Sequence, residues 1–128
     1  MSNRTFITDA KKKYQVIQSP VFCSCLNRNI HVTSSGFMHL LRKGNGKPRN
    51  VAEIQHKTRL IPLIVPVIRN ATDASYEKRS VRKNSKKNAP LVQAEYWGLE
   101  ANVGKNSIKV RVIIRRIGDG QAHLWSVM

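Results

Sequence analysis

From Leu91 to the C-terminus the apolar residues recur at every second position, and this alternation constrains the fold more than any other feature. Ile108, Val110, Val112 and Ile114 alternate with Lys109, Arg111, Ile113 and Arg115. Successive side chains of a strand point to opposite faces. The pattern therefore predicts a strand with an apolar core face and a mostly basic open face. Gly118-Asp119-Gly120 marks a hairpin turn, and the segment from Gln121 to Val127 returns beside it. Upstream, Ala94 and Tyr96 share one phase, while Leu99, Ala101 and Val103 share the other. A bulge near Trp97-Gly98 is expected to keep the apolar side inward. Gly104-Lys105-Asn106 turns the chain between these strands.

The first half has a different grammar. Residues 1–13 are polar and basic and are expected to be frayed or loosely docked. Residues 14–33 are rich in β-branched and aromatic types and read as one or two short strands, broken at Ser19-Pro20. Ser34 and Ser35 offer an N-cap for a short helix, GFMHLLRK, with Phe37, Leu40 and Leu41 on its apolar side. The glycine-rich residues 44–48 end it. Asn50, with Glu53 three residues on, has the form of a capping box, so a second helix starts there. Pro62 and Pro66 oppose an uninterrupted helix and predict a kink, or a further helix starting near Pro62. Residues 74–90 carry Lys78, Arg79, Arg82, Lys83, Lys86 and Lys87 with almost no apolar residues, and are expected to form a basic flexible loop. The fold class is α+β: short N-terminal strands and two or three helices packed on a C-terminal antiparallel sheet, in a single domain over residues 1–128.

A formal charge of +16 draws polyanions. Nucleic acid is the first candidate, an anionic membrane surface or an acidic protein the second. No apolar run approaches the ~20 residues that span a bilayer, and the N-terminus lacks the apolar core of a signal peptide. A soluble protein acting in a cytoplasm is expected. The seven acidic residues are scattered. Two-metal nucleases need clustered carboxylates, so nuclease chemistry here is expected to need no metal and no other cofactor. Cys23 and Cys25 would stand about 6.6 Å apart on a strand, at the far edge of disulfide geometry. A zinc site with His31 and His39 does not follow a common spacing, so two free thiols are expected.

RNA is cleaved without metal by taking the 2′-OH proton, stabilising the phosphorane and protonating the leaving oxygen. Histidines and cations suffice. His123 is the foremost candidate, and its neighbour depends on the turn. A three-residue loop with Gly120 left-handed sets His123 opposite Arg115 and Trp125 opposite Ile113, with Ser126 and Leu124 in the core. A two-residue turn at Asp119-Gly120 slips every pair by one and sets His123 opposite Arg116. The first keeps His123 and Arg115 together and is preferred. It faces Ser126 inward unless a bulge near the C-terminus turns it out. His39 and Arg42 share a helix side and offer a second proton-transfer group with a phosphate clamp; a solvated helix face is the ordinary alternative. Arg59 precedes the core helix and is a better candidate than His56 on the same side. His31 reads as structural. Trp97 or Trp125 could stack a base, although core packing is the commoner fate of such residues.

Four segments, HVTSSGFMHLLRK, HKTRLIPLI, EYWGLEA and KVRVIIRRIGDGQAHLWSVM, together resemble the phage-associated branch of the BECR superfamily, which includes barnase, EndoU, colicin-type tRNases and RelE. The resemblance covers about residues 30–128 apart from the 71–90 stretch, and the closing hairpin is its most specific part. It implies helices packed on a curved antiparallel sheet. It also implies metal-independent endoribonuclease activity through a 2′,3′-cyclic phosphate on tRNA, mRNA or ribosome-bound RNA, often as a toxin countered by an acidic antitoxin or immunity protein. By position it implies His39, Arg115, His123 and Ser126 as catalytic residues, with Arg42 and Arg111 on the substrate. Arg59, Trp97 and Lys109 complete the expected substrate contacts. The competing expectation is a non-catalytic RNA- or ribosome-binding protein, which explains the charge equally well. A DNA-binding regulator lacks a supporting helix-turn-helix or zinc pattern.

Overall fold

The computed structural model describes residues 3–42, 47, 49–82 and 87–128. In chain order the elements are helix α1 (Asn3–Gln15), strands β1 (Val21–Cys23) and β2 (Arg28–Ile30), helices α2 (Ser34–Leu41) and α3 (Val51–Leu60), a 3-10 turn (Ile61–Leu63), helix α4 (Ile64–Asn70), and strands β3 (Ala74–Arg82), β4 (Leu91–Val103), β5 (Ile108–Ile117) and β6 (His123–Val127). The last four form one antiparallel sheet in the order β3-β4-β5-β6; β1 and β2 form a separate hairpin. The fold is α+β. Among the described residues no helix is long and apolar enough to cross a membrane.

The core lies on one face of the sheet. Leu99 on β4, Val110, Val112 and Ile114 on β5, and Leu124 and Val127 on β6 are all buried there. Helix α4 packs on β4 and β5 with Ile64, Val67 and Ile68 fully buried, each such side chain stabilising the fold by roughly 1.5–3 kcal/mol. The approach to this helix follows from its prolines. The Asn50 side chain caps α3, its Oδ1 accepting from the Glu53 N–H at 2.9 Å and its Nδ2 donating to Glu53 Oε1 at 3.0 Å. Pro62 then falls inside the 3-10 turn and Pro66 in the first turn of α4, where missing N–H groups cost least.

Two segments depart from expectation. Residues 3–15 are helical rather than frayed. Ala10 and Tyr14 are buried and Ile17 packs against the core, a helical spacing masked by Lys11, Lys12 and Lys13. The Tyr14 hydroxyl anchors α1 by donating to the Thr33 carbonyl at 2.6 Å. Within the expected 74–90 loop, Ala74–Arg82 is a nine-residue strand, paired with β4 from Ala74↔Leu99 to Arg82↔Leu91. Its side chains are mostly exposed, so composition carries no sign of the main-chain pairing that orders it. Residues 83–86 of that stretch lie outside the described residues, as do most of residues 44–48.

Smaller differences concern local geometry. The α2 N-cap is Thr33, not Ser34 or Ser35. No bulge interrupts β4: its pairing with β5 is continuous from Ala94↔Ile117 to Val103↔Ile108. Cys23 and Cys25 are free thiols. In the β5–β6 turn it is Gly118, at φ +53°, that takes the left-handed region, not Gly120. The resulting register still sets His123 opposite Arg115 and Leu124 opposite Ile114.

Urea unfolding checks this ranking of interactions. Ile64→Ala is expected to lower the unfolding free energy by about 2–5 kcal/mol, and Asn50→Ala by about 1 kcal/mol.

Candidate active site

The sheet's open face carries a groove of about 790 Å³, walled by α2 and α3 on one side and by β3 on the other. Among the described residues four cations, Arg49, Lys57, Arg79 and Arg111, and one carboxylate, Glu77, line it together with His39, Trp125 and Ser126. Glu77 is engaged with Arg79 through two contacts of 2.8 and 2.7 Å, so its charge is locally matched.

A bulge in β6 brings Ser126 into this groove. Ser126 pairs opposite Ile113 and Leu124 opposite Ile114, leaving Trp125 as the extra residue between them. A regular strand would have turned Ser126 into the core opposite Val112, the position expected from the preferred turn. The bulge restores it to the open face, while Val127 faces Val112 in the core. Ser126 is only 4% exposed, and its hydroxyl accepts a hydrogen bond from Lys57 Nζ at 3.2 Å. Lys57 Nζ also donates to the Val127 carbonyl at 2.7 Å, leaving one of its three N–H groups for another acceptor. Burial pulls the Lys57 pKa down to about 8; the Arg49 charge adds to the fall and Glu53 opposes it.

His39 projects from α2 onto Trp125, the rings stacked at 4.0 Å and 25°. Its Nδ1 is buried without a hydrogen-bond partner. Burial lowers its pKa below the usual 6.5. A backbone hydrogen bond with Trp125 opposes this, and the charges of Arg49, Lys57 and Arg115 deepen it. Arg49 joins the two helices that carry these groups. Its Nη1 lies 3.3 Å from Glu53 Oε2, and its Nη2 donates to the His39 carbonyl at 3.4 Å.

Arg111 lies flat across β4, its Nη2 donating to Ser75 Oγ at 3.2 Å and its Nη1 bonding Glu100 Oε1 at 3.3 Å. Gly98 permits that path. A Cβ there would lie 2.5 Å from Ser75 Oγ and 2.6 Å from Arg111 Nη2.

The expected site residues divide. His39, Ser126, Arg111 and Trp97 all line the groove. Arg115 is not part of its lining: its guanidinium lies between aromatic rings, 4.2 Å from the Trp125 centroid and 5.7 Å from that of Tyr96. His123 stands opposite Arg115 but is not part of the lining, and it lies edge-on to Trp125 at 6.0 Å. It is clamped on its other side by His31, whose N–H donates to the Ala122 carbonyl and whose carbonyl accepts from Leu124 N–H. Burial lowers the His123 pKa; the Gln121 backbone opposes this, and Arg115 and His31 add to it. Trp97 borders the groove, but it is 8% exposed and packs in the core, which leaves little of its ring for a base. Arg42 and Arg59 are exposed and outside the lining, and Lys109 pairs with Glu100 at 3.3 Å.

Lys57 is the main omission from the sequence reading, and a signal existed. It sits between Ile54 and Ile61 at helical spacing, next to buried Thr58, so a lysine borders an apolar stripe. Among the described residues no three His, Cys, Asp or Glu side chains are grouped so as to hold a metal ion. No protein-family model, curated protein or solved structure matches the chain.

Two measurements test this geometry. A lysine whose folded pKa is lowered binds fewer protons than in the unfolded chain between about 8 and 10.5, so its burial destabilises at lower pH and ceases to as pH rises through that window. Unfolding free energy should therefore climb with pH across it more steeply in the native protein than in Lys57→Met. Gly98→Ala should keep the fold, because only side-chain ends obstruct it, and swing Arg111 off Ser75 in a crystal structure of the variant.

Proposed function

We propose that this protein is an endoribonuclease that cleaves RNA without a metal ion, leaving a 2′,3′-cyclic phosphate. The observation that carries the reading is the presence of His39 and Lys57 in one cationic groove, where burial lowers both, His39 below its usual 6.5 and Lys57 to about 8, so that the two lie on either side of neutrality. Two titratable groups separated in this way divide acid and base work at pH 7. His39, mostly neutral, takes the proton from the ribose 2′-OH. The 2′-oxygen attacks phosphorus, and the 5′-oxygen leaves with a proton from the Lys57 ammonium. Ser126 holds Lys57 in place, and the Arg111 and Arg49 guanidinium charges offset the negative charge on the phosphorane.

This assignment gives the second proton-transfer role to Lys57 rather than His123, because His123 stands outside the lining. A toxin-like role countered by an acidic antitoxin is consistent with the same groove, whose cations would receive an acidic inhibitor as readily as RNA.

Incubation with total RNA in excess EDTA tests the reading. Cleavage is expected from the native protein, with a bell-shaped pH profile that rises through the lowered His39 pKa and falls above about 8 as Lys57 loses its proton. His39→Ala and Lys57→Gln should each lose roughly 10²–10⁴-fold in rate, while His123→Ala keeps the shape of the profile. RNA binding by the native protein without any cleavage would end this proposal.

A further inference from the structure

Five side chains form one stack across the sheet, one from each element in turn. Arg79 on β3 lies 5.0 Å from the ring centroid of Tyr96 on β4. Arg115 on β5 lies 5.7 Å from the same ring and 4.2 Å from that of Trp125 on β6. His39 on α2 then stacks on Trp125 at 4.0 Å. The strand order is β3-β4-β5-β6, with α2 packed on β6. Tyr96 and Trp125 are therefore each engaged by two of the protein's own cationic or imidazole groups, one from each neighbouring element.

A base stacks on an aromatic side chain only through a free face. Both rings of the stack are already engaged by the protein's own groups, and Trp97 is buried, with the Arg28 guanidinium 4.8 Å from its centroid. Tyr76 is 54% exposed, but it is tilted against Trp97 and its hydroxyl donates to Glu95. What the lining offers a ligand besides these engaged rings is the cationic groups of Arg49, Lys57, Arg79 and Arg111. These favour phosphate oxygens over bases.

We infer that the groove grips the ribose-phosphate backbone of RNA and leaves the bases outside, so that this site holds and cuts RNA without regard to base identity. The inference takes RNA as ligand from the reading above. It replaces the expected stacking on Trp97 with a backbone contact.

Binding measurements on uncleavable strands separate the two readings. The probes are equal-length 2′-O-methyl oligomers of uridine and of adenosine, and an abasic 2′-O-methylribose phosphate oligomer, titrated in EDTA at several salt concentrations. The three dissociation constants should agree within about threefold, with the same dependence on salt, because phosphate contacts supply the affinity. Tryptophan emission should respond alike to all three. Abasic binding about fivefold or more weaker, the least that one stacked base contributes, overturns the inference, as does quenching confined to the base-bearing strands. Equal binding by all three, with the corresponding 2′-OH RNA left uncut, supports backbone recognition and removes the ribonuclease reading. Failure of every oligomer to bind removes both.

Discussion

The sheet has one face to bury and one to use, and the apolar stripe of the helical unit from α3 to α4 decides which is which. Ile61, Ile64, Val67 and Ile68 need an apolar partner surface, and the inward residues of β4, β5 and β6 supply it. Everything polar on the alternate positions of the same strands is then forced to the other side. The groove is the complement of the core, written in the same strands one residue out of phase. Lys57 stands where the two meet, on a helix committed to the core and with its ammonium turned to the groove.

That boundary position explains the site's electrostatics. A lysine wholly in water keeps its proton across the physiological range, whereas one partly withdrawn from water, close to the Arg49 charge, does not hold it as firmly. His39 is displaced by the same causes, burial and neighbouring cations, and lies lower because its ordinary value is lower. Packing density around α2, α3 and β6 thus tunes both groups without any dedicated partner carboxylate.

How much of this was legible in the sequence depends on where the ordering energy comes from. The capping of α3 by Asn50, the break at Pro62 and the alternation of β5 are local features, and each was readable from a handful of letters. The setting of His123 opposite Arg115 was one of two registers the turn left open, and the preferred one is observed, although Gly118 rather than Gly120 takes the left-handed conformation. Helix α1 and strand β3 were not readable. In α1 a thin apolar stripe is diluted by lysines, and in β3 the order comes from main-chain pairing with β4 that leaves the side chains in water. The candidate site was half legible: residue types marked His39, Ser126 and Arg111, but burial and helix phase, which select Lys57 over Arg59 and set Trp97 in the core, are properties of the assembled chain.

The bulge at Trp125 has a consequence for how this chain can vary. On one side of it β6 is in step with β5 through His123 and Leu124, and on the other through Ser126 and Val127, with one residue more than the partner strand has. Core and groove therefore draw on the same five consecutive positions under two different countings. A change of letter at any of them alters one side chain. Loss of the bulge at unchanged length would exchange inside for outside along half the strand, sending Ser126 into the apolar interior and Val127 into the groove, whereas loss of the one extra residue would leave both opposite their present partners. What holds the two countings together is the place of the bulge rather than the length of the strand.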